Sequence, residues 1–166
     1  MNLNRLFVRL GLAASIVSLL SFSAIAQEVQ VKKKQVPPAV LAAFKSAYPQ
    51  ATIRGFSREK ENGKVYYEVE SVEGETSRDV LYNPDGTVAE IEESIAVGDL
   101  PAAAPEALRA KYPGAVVTRA EKITRGDITE YEAHAKIGKK RVSMEFDASG
   151  KPLKTAVVAS RSQASG

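Results

Sequence analysis

The sequence predicts an α+β fold made of two tandem copies of one helix packed on a four-stranded antiparallel meander. Three observations predict it. The stretch Ala43-Phe44-Lys45-Ser46-Ala47-Tyr48-Pro49-Gln50-Ala51 returns as Ala107-Leu108-Arg109-Ala110-Lys111-Tyr112-Pro113-Gly114-Ala115, and the offset of 64 residues holds without a gap beyond both segments. Such self-similarity marks one supersecondary unit used twice. Each Tyr-Pro pair also marks a helix-to-strand junction, because the proline ring pushes the residue before it out of the α region and β-branched residues follow. Finally, strong turn signals divide the rest of each copy into short strands.

The first 26 residues stand apart from this plan. Arg5 and Arg9 form a basic n-region, Leu10 to Phe22 is mostly apolar, and Ala24-Ile25-Ala26 is an A-x-A cleavage signal. This is the pattern of a secretory signal peptide, with the mature chain beginning near Gln27. The apolar run is short and Ser-rich for an uncleaved anchor, and no second such run follows, so no transmembrane segment is expected in the mature chain. Removing Arg5 and Arg9 lowers the formal charge of +3 by two. A near-neutral chain of interspersed charges gives no electrostatic case for nucleic acid. There is no Cys, which excludes thiol nucleophiles, thiolate metal sites and disulfides. An exported chain without Cys fits a bacterial periplasmic or secreted protein.

Residues 27–35 are polar, with a basic run at Lys32-Lys33-Lys34, and read as a flexible lead-in. The first helix begins at Val36-Pro37-Pro38, with Pro tolerated in its first turn. Leu41, Phe44 and Tyr48 form one apolar stripe. Strands are expected at 51–60, 65–72, 77–82 and 87–95. Between them lie Asn62-Gly63, the type I′ pair, Gly74-Glu75, suited to type II′, and Asn83-Pro84-Asp85-Gly86, suited to type I. In the second copy the helix begins near Leu100-Pro101 with Asp99 as a possible cap, and Pro105 is a reason for a later start. Turns fall at Arg125-Gly126-Asp127, Gly138-Lys139 and Asp147-Ala148-Ser149-Gly150. The Arg-Gly-Asp tripeptide is fully explained as a hairpin turn. The units are thus 36–98 and 99–158, followed by a Ser-rich, disordered tail at 159–166.

Two-residue turns fix register, and register fixes faces. They set Val69 opposite Val80 and Tyr67 opposite Tyr82, and in the second copy Ala133 opposite Met144 and Tyr131 opposite Phe146. Each aromatic pair contributes about 0.5–1 kcal/mol beyond burial. The Asn62-Gly63 turn adds Phe56 opposite Val69, with Ala120 opposite Ala133 as its smaller counterpart. For Ile53 to be buried beside Phe56 the strand must change parity, and Gly55 is the natural bulge. Tyr67, Val69, Val80, Tyr82, Ala89 and Ile91 would then meet Leu41, Phe44 and Tyr48. A copy of about 60 residues is marginal alone, so the two copies share a core or a continuous sheet.

The Leu/Val-Pro helix start, the Tyr-Pro-x-Ala junction, the Tyr-Glu-Val/Ala strand and the Asn/Asp-x-x-Gly turn, twice after a signal peptide, resemble the PepSY-like family, whose members are also likened to the β-lactamase-inhibitory protein. The carrying residues are Val36-Pro37, Tyr48-Pro49-Gln50-Ala51, Tyr67-Glu68-Val69 and Asn83 to Gly86. In the second copy they are Leu100-Pro101, Tyr112-Pro113-Gly114-Ala115, Tyr131-Glu132-Ala133 and Asp147 to Gly150. The resemblance implies an exported, non-enzymatic tandem module whose sheet offers a protein-binding surface, with inhibition of a peptidase or another enzyme suggested for relatives. The inhibitory protein has disulfides and this chain has none, so no inhibitory residue carries over.

The residues give no case for catalysis. One His and no Cys leave little for nucleophilic or general-base work, no Ser sits in a G-x-S-x-G elbow, and neither a phosphate loop nor zinc spacing is present. No cofactor or metal is expected. The best site candidate lies on the sheet face opposite the helix. Register places Glu121, Glu132 and Glu145 in one row across three strands, with His134 one step away. Like charges directly opposite in a sheet repel, so a partner's basic residue, a cation, or nearby Arg119, Lys136 and Lys154 must compensate. The corresponding row in the first copy is Ser57, Glu68 and Leu81, with Glu70 opposite Asp79. Tyr66 and Leu81 are the apolar residues expected on this face. Together Tyr66, Glu68, Glu70, Leu81, Arg119, Glu121, Glu132, His134 and Glu145 form the candidate partner-binding face, the partner being a periplasmic or extracellular protein. A small-ligand or divalent-cation site on the acidic face, or a structural envelope role, are the alternatives.

Overall fold

The computed structural model describes residues 27–158, with side chains to residue 153. The expected signal peptide and cleavage point, the tail at 159–166 and the side chain of Lys154 lie outside the described residues. The first copy contains α1 (Pro38–Ala47), β2 (Thr52–Glu61), β3 (Lys64–Glu73), β4 (Thr76–Tyr82) and β5 (Val88–Ile95), preceded by β1 (Gln27–Gln30) and a 3-10 turn at Lys33–Gln35. The second contains a 3-10 turn at Val97–Asp99, α2 (Ala103–Lys111), β6 (Val116–Arg125), β7 (Ile128–Ile137), β8 (Lys140–Asp147) and β9 (Pro152–Val158). All nine strands form one antiparallel sheet in sequence order.

Hairpin register follows from the turns. Asn62 and Gly63 both take positive φ, as a type I′ turn requires. The pairs Val69–Val80, Tyr67–Tyr82, Phe56–Val69, Ala133–Met144, Tyr131–Phe146 and Ala120–Ala133 all form. The register shifts between Ile53 and Gly55, and again between Val117 and Arg119. The second bulge therefore forms without a glycine. Ile53 changes face as expected but stays 37% exposed beside α1, lining a cavity with Leu41 and Tyr48 rather than entering the core.

Three sequence expectations need correction. The lead-in is not structureless: Gln27–Gln30 pairs with Ser57 to Lys60 of β2, so backbone hydrogen bonds at a sheet edge order a segment whose side chains carry no apolar period. Asp99 does not cap α2. It ends the 3-10 turn, and Ala102 takes the cap position without a side-chain bond. Pro105 does not delay the helix either. It sits in the first turn, where backbone N–H groups have no intrahelical partner to lose.

Both helices end alike. The Tyr48 N–H donates to Phe44 O and the Tyr112 N–H to Leu108 O, each at 2.8 Å. Beneath α1, Val36, Val40, Phe44, Val69, Val80 and Tyr82 are buried, with Leu41, Tyr48, Phe56, Tyr67 and Ile91 packed around them. The helix thus turns Val40 and Phe44 deepest, not the Leu41 edge of the stripe, and Ala89 is not part of the cluster. Beneath α2, Ala104 and Leu108 meet Ala120, Ala133, Met144 and Phe146. The copies therefore have two cores on one continuous sheet.

The join between copies sets the geometry of everything else. β5 pairs with β6 so that Ile91 faces Thr124 and Ile95 faces Ala120. Paired residues share a face. Ile91 belongs to the α1 core and Ala120 to the α2 core, so both helices lie on the same side of the sheet. No helix among the described residues packs on the other side.

The Asn/Asp-x-x-Gly turns lock the helices down. Gly86 has φ +88°, and a Cβ there would lie 2.8 Å from Ala39 O; Gly150 has φ +85°, and a Cβ would lie 2.9 Å from Ala104 N. Gly86→Ala is expected to destabilise by about 1–3 kcal/mol, from backbone strain and the clash together, measured by urea unfolding. Conversely, the Tyr82 hydroxyl is buried with no hydrogen-bond partner, and Phe146 fills the equivalent position. Tyr82→Phe should hold or raise stability, by up to about 1–2 kcal/mol, because it removes an unsatisfied buried group. A large loss of melting temperature in that variant would contradict this packing.

Candidate functional site

The helix-free face follows from strand alternation. Glu68 and Glu70 of β3, Leu81 of β4, Arg119 and Glu121 of β6, Glu132 and His134 of β7 and Glu145 of β8 all point to it, as does Tyr66 opposite Glu59. The structure brings all nine sequence candidates to one face. The Glu121–Glu132–Glu145 row forms in register, and His134 stands one pair along, between Arg119 and Ser143.

The row is neutralised in part from within. His134 Nε2 lies 2.9 Å from Glu121 Oε2 and 3.5 Å from Glu132 Oε2. Arg119 Nη2 lies 2.9 Å from His134 Nε2 and 3.3 Å from Glu121 Oε2. Burial pushes the Glu121 carboxyl up, but the His134 hydrogen bond and the Arg119 charge outweigh it and hold the group below the usual carboxylate range. Glu121, Glu132 and His134 offer three ligand atoms within 4.8 Å of one another. The Arg119 guanidinium already touches two of them, so the protein's own cation supplies the positive charge there. Lys136, expected to help, makes no ion pair with the row among the described residues.

A second group of carboxylates joins Glu68 and Asp79, which the sequence reading placed on this face, to Glu59, Glu61, Glu90 and Glu92, which it did not single out. Glu59, Glu61, Glu68, Asp79, Glu90 and Glu92 line a cavity of about 230 Å³ with Leu81 and Arg125. They converge because β2, β3, β4 and β5 pair in sequence, with a register shift at Leu81/Tyr82 between β4 and β5, while Arg125 comes from β6 across the join. Arg125 bridges Glu90 and Glu130. Burial, then a hydrogen bond donated to Glu90 and repulsion by it, push Glu92 up to about 9. Burial raises Glu68 to about 7 despite a 2.7 Å hydrogen bond donated by Ser57 Oγ. Burial and Glu70 raise Asp79 to about 6. At the far edge the Gln30 amide donates to Glu70 at 3.1 Å, tying β1 to this face. Ile123, in the same row as Glu92 and Glu130, is buried at 2% exposure. Extending the alternation from helix-facing Ile91 would have placed Glu90 and Glu92 on this face.

These arrangements provide charge, shape and hydrogen bonding but no nucleophile held by a base. The family model described as "Putative beta-lactamase-inhibitor-like, PepSY-like" matches residues 24–74 and 65–154. The chain belongs to the PepSY-like family. Among solved structures, one from Bacteroides eggerthii described as "putative periplasmic proteins" is 19% identical with a TM-score of 0.61, covering 74% of this chain and 89% of that one. A DUF2874 family protein from Bacteroides uniformis is 17% identical with a TM-score of 0.59, over 74% and 89% of the two chains. A BLIP-like protein from Bacteroides fragilis is 24% identical with a TM-score of 0.54, over 72% and 84%. These neighbours share the fold. No curated protein matches the PepSY-like chain.

The raised carboxylates make stability depend on pH with a definite sign. A carboxyl whose folded pKa exceeds its unfolded value favours the fold below the unfolded value, and that contribution is lost as pH rises through the folded value. With Asp79, Glu68 and Glu92 at about 6, 7 and 9, the melting temperature should fall between pH 5 and pH 9. Glu92→Gln should flatten the fall above pH 7. A melting temperature that rises across this range by circular dichroism would overturn the assignment.

Proposed function

We propose that this PepSY-like protein is an exported, non-enzymatic binding module that engages a protein partner through the helix-free face of its sheet, by steric occlusion of an enzyme such as a peptidase. The observation that carries this reading is the β5–β6 join, which leaves a continuous nine-stranded face with no helix on it among the described residues. The inhibitor-like character of the family supports it, as does the signal-peptide pattern of residues 1–26. We take residues 36–98 and 99–158 as the two repeat units, each a helix with the four strands after it, and the nine named face residues as the contact set.

Crosslinking the mature protein in periplasmic extract tests this. Crosslinks from a stoichiometric partner should map to strand positions sharing a face with Tyr66, Leu81 and Glu132. Crosslinks confined to α1 and α2, or no partner, would sink the reading. The divalent-cation alternative rests on the Glu121, Glu132 and His134 cluster. Because Arg119 already contacts that cluster, millimolar calcium or zinc should leave the melting temperature unchanged. A rise abolished by Glu132→Gln would favour the cation site instead.

A further inference from the structure

We infer that a basic corner of the helix-free face, where β6, β7 and β8 meet, is a carboxylate-recognition site for an acidic segment of the partner protein. This rests on the protein-binding reading above. The corner is a cavity of about 440 Å³ lined by Thr118, Arg119, His134, Lys136 and Arg141, among others. Lys136 and Arg141 are directly opposite across β7 and β8. Neither has a carboxylate within ion-pair distance among the described residues. Two unneutralised like charges directly opposite in a sheet destabilise it. Arg119, which also contacts Glu121 and His134, lies at the edge of the corner and stays 55% exposed, so part of its guanidinium remains open to a further acceptor.

The fold does not need these cations. Counting back 64 residues, Gly55, Glu70, Val72 and Ser77 stand where Arg119, His134, Lys136 and Arg141 stand in the second copy. The first copy builds the same bulge and the same hairpin with them. There, Gly55 leaves so little room that a Cβ would lie 2.9 Å from Glu70 Oε1, and Glu70 opposes Asp79. Thus the neutral Gly55, Val72 and Ser77 of the first copy stand where Arg119, Lys136 and Arg141 stand in the second, and acidic Glu70 stands where His134 does. Repulsion that the architecture does not require is relieved by a bound anion. The adjoining Glu121–Glu132–Glu145 row would repel a free small anion. A polypeptide can place an acidic side chain in the corner and basic ones over the row, which is the charge complementarity the face presents.

The test uses the mature protein and two fluorescein-labelled peptides, one with four glutamates spaced by serines and one with glutamines in their place. Fluorescence anisotropy should show salt-sensitive binding of the first peptide only. The double variant Lys136→Gln, Arg141→Gln should weaken it about tenfold, the scale of a few exposed charge pairs. Lys33→Gln, Lys34→Gln, which removes two exposed lysines elsewhere, should leave it unchanged. Equal loss in both double variants, or equal affinity for both peptides, would overturn the site. So would citrate or inorganic phosphate raising the melting temperature of the wild type and not of the Lys136, Arg141 variant while the peptide fails to bind, because the corner would then hold small anions. In the crosslinking experiment, a partner kept on the helix-free face by the Lys136, Arg141 variant would refute the corner and leave the binding module intact. Absence of any partner for the wild type would refute the module itself.

Discussion

The antiparallel pairing of β5 with β6 is the constraint on which the rest of the structure depends. It joins two copies that each bury only a small core, and it does so in one of two possible parities. With Ile91 and Ile95 on the side of Thr124 and Ala120, both helices fall on the same face. A slip of one residue would send the second copy's apolar set to the other side, placing α2 opposite α1 and leaving no continuous open face. The two cores remain separate, so neither helix needs contact with the other. What the copies share is backbone hydrogen bonding, and through it a common surface.

That surface concentrates charge because the apolar residues are committed to the helix side. Alternation leaves polar positions facing outward, and in this chain many of them are Glu. Neighbouring carboxylates on adjacent strands cannot all be comfortably ionised. The structure resolves this in three ways. Arg125 bridges Glu90 and Glu130, Arg119 and His134 gather around Glu121, and Glu92 holds its proton well above the usual carboxylate range beside Glu90. Each is a local answer to a repulsion created by register. None of them reaches Lys136 and Arg141, where the repulsion has the opposite sign.

Much of this was legible in the sequence, and for a physical reason. Where a two-residue turn joins strands, the turn chemistry dictates the pairing, so the Val69–Val80 and Tyr131–Phe146 pairs and the Glu121–Glu132–Glu145 row could be counted off directly. The repeat supplied the second helix and the Tyr-Pro junctions. Elements held by backbone alone were not legible. β1 has no apolar period to read, since Val29 is its sole apolar residue. Asp99 had the chemistry of a cap but belongs to a 3-10 turn ahead of the helix. The Glu59, Asp79 and Glu92 cluster required the β4–β5 register, which shifts at Leu81/Tyr82 beside the four-residue turn and so cannot be counted off from a two-residue turn.

Divergence between copies is therefore the most informative signal about function on this face. Positions that serve the fold are conserved in character across the 64-residue offset: Tyr48 and Tyr112 end the helices, and Gly86 and Gly150 seat the turns against the helix starts. Core positions trade volume, as Phe44 and Val80 give way to Leu108 and Met144, yet all four are buried. The helix-free face behaves otherwise. Ser57 becomes Glu121, Leu81 becomes Glu145, Glu70 becomes His134 and Val72 becomes Lys136, changes of charge that no packing requirement demands. A surface under structural constraint alone would let the two halves differ without pattern. Here the acidic cavity lies on the strands of the first copy beside Arg125, the carboxylate row lies on those of the second, and the cations collect at one corner, so charge is unevenly distributed along one continuous face.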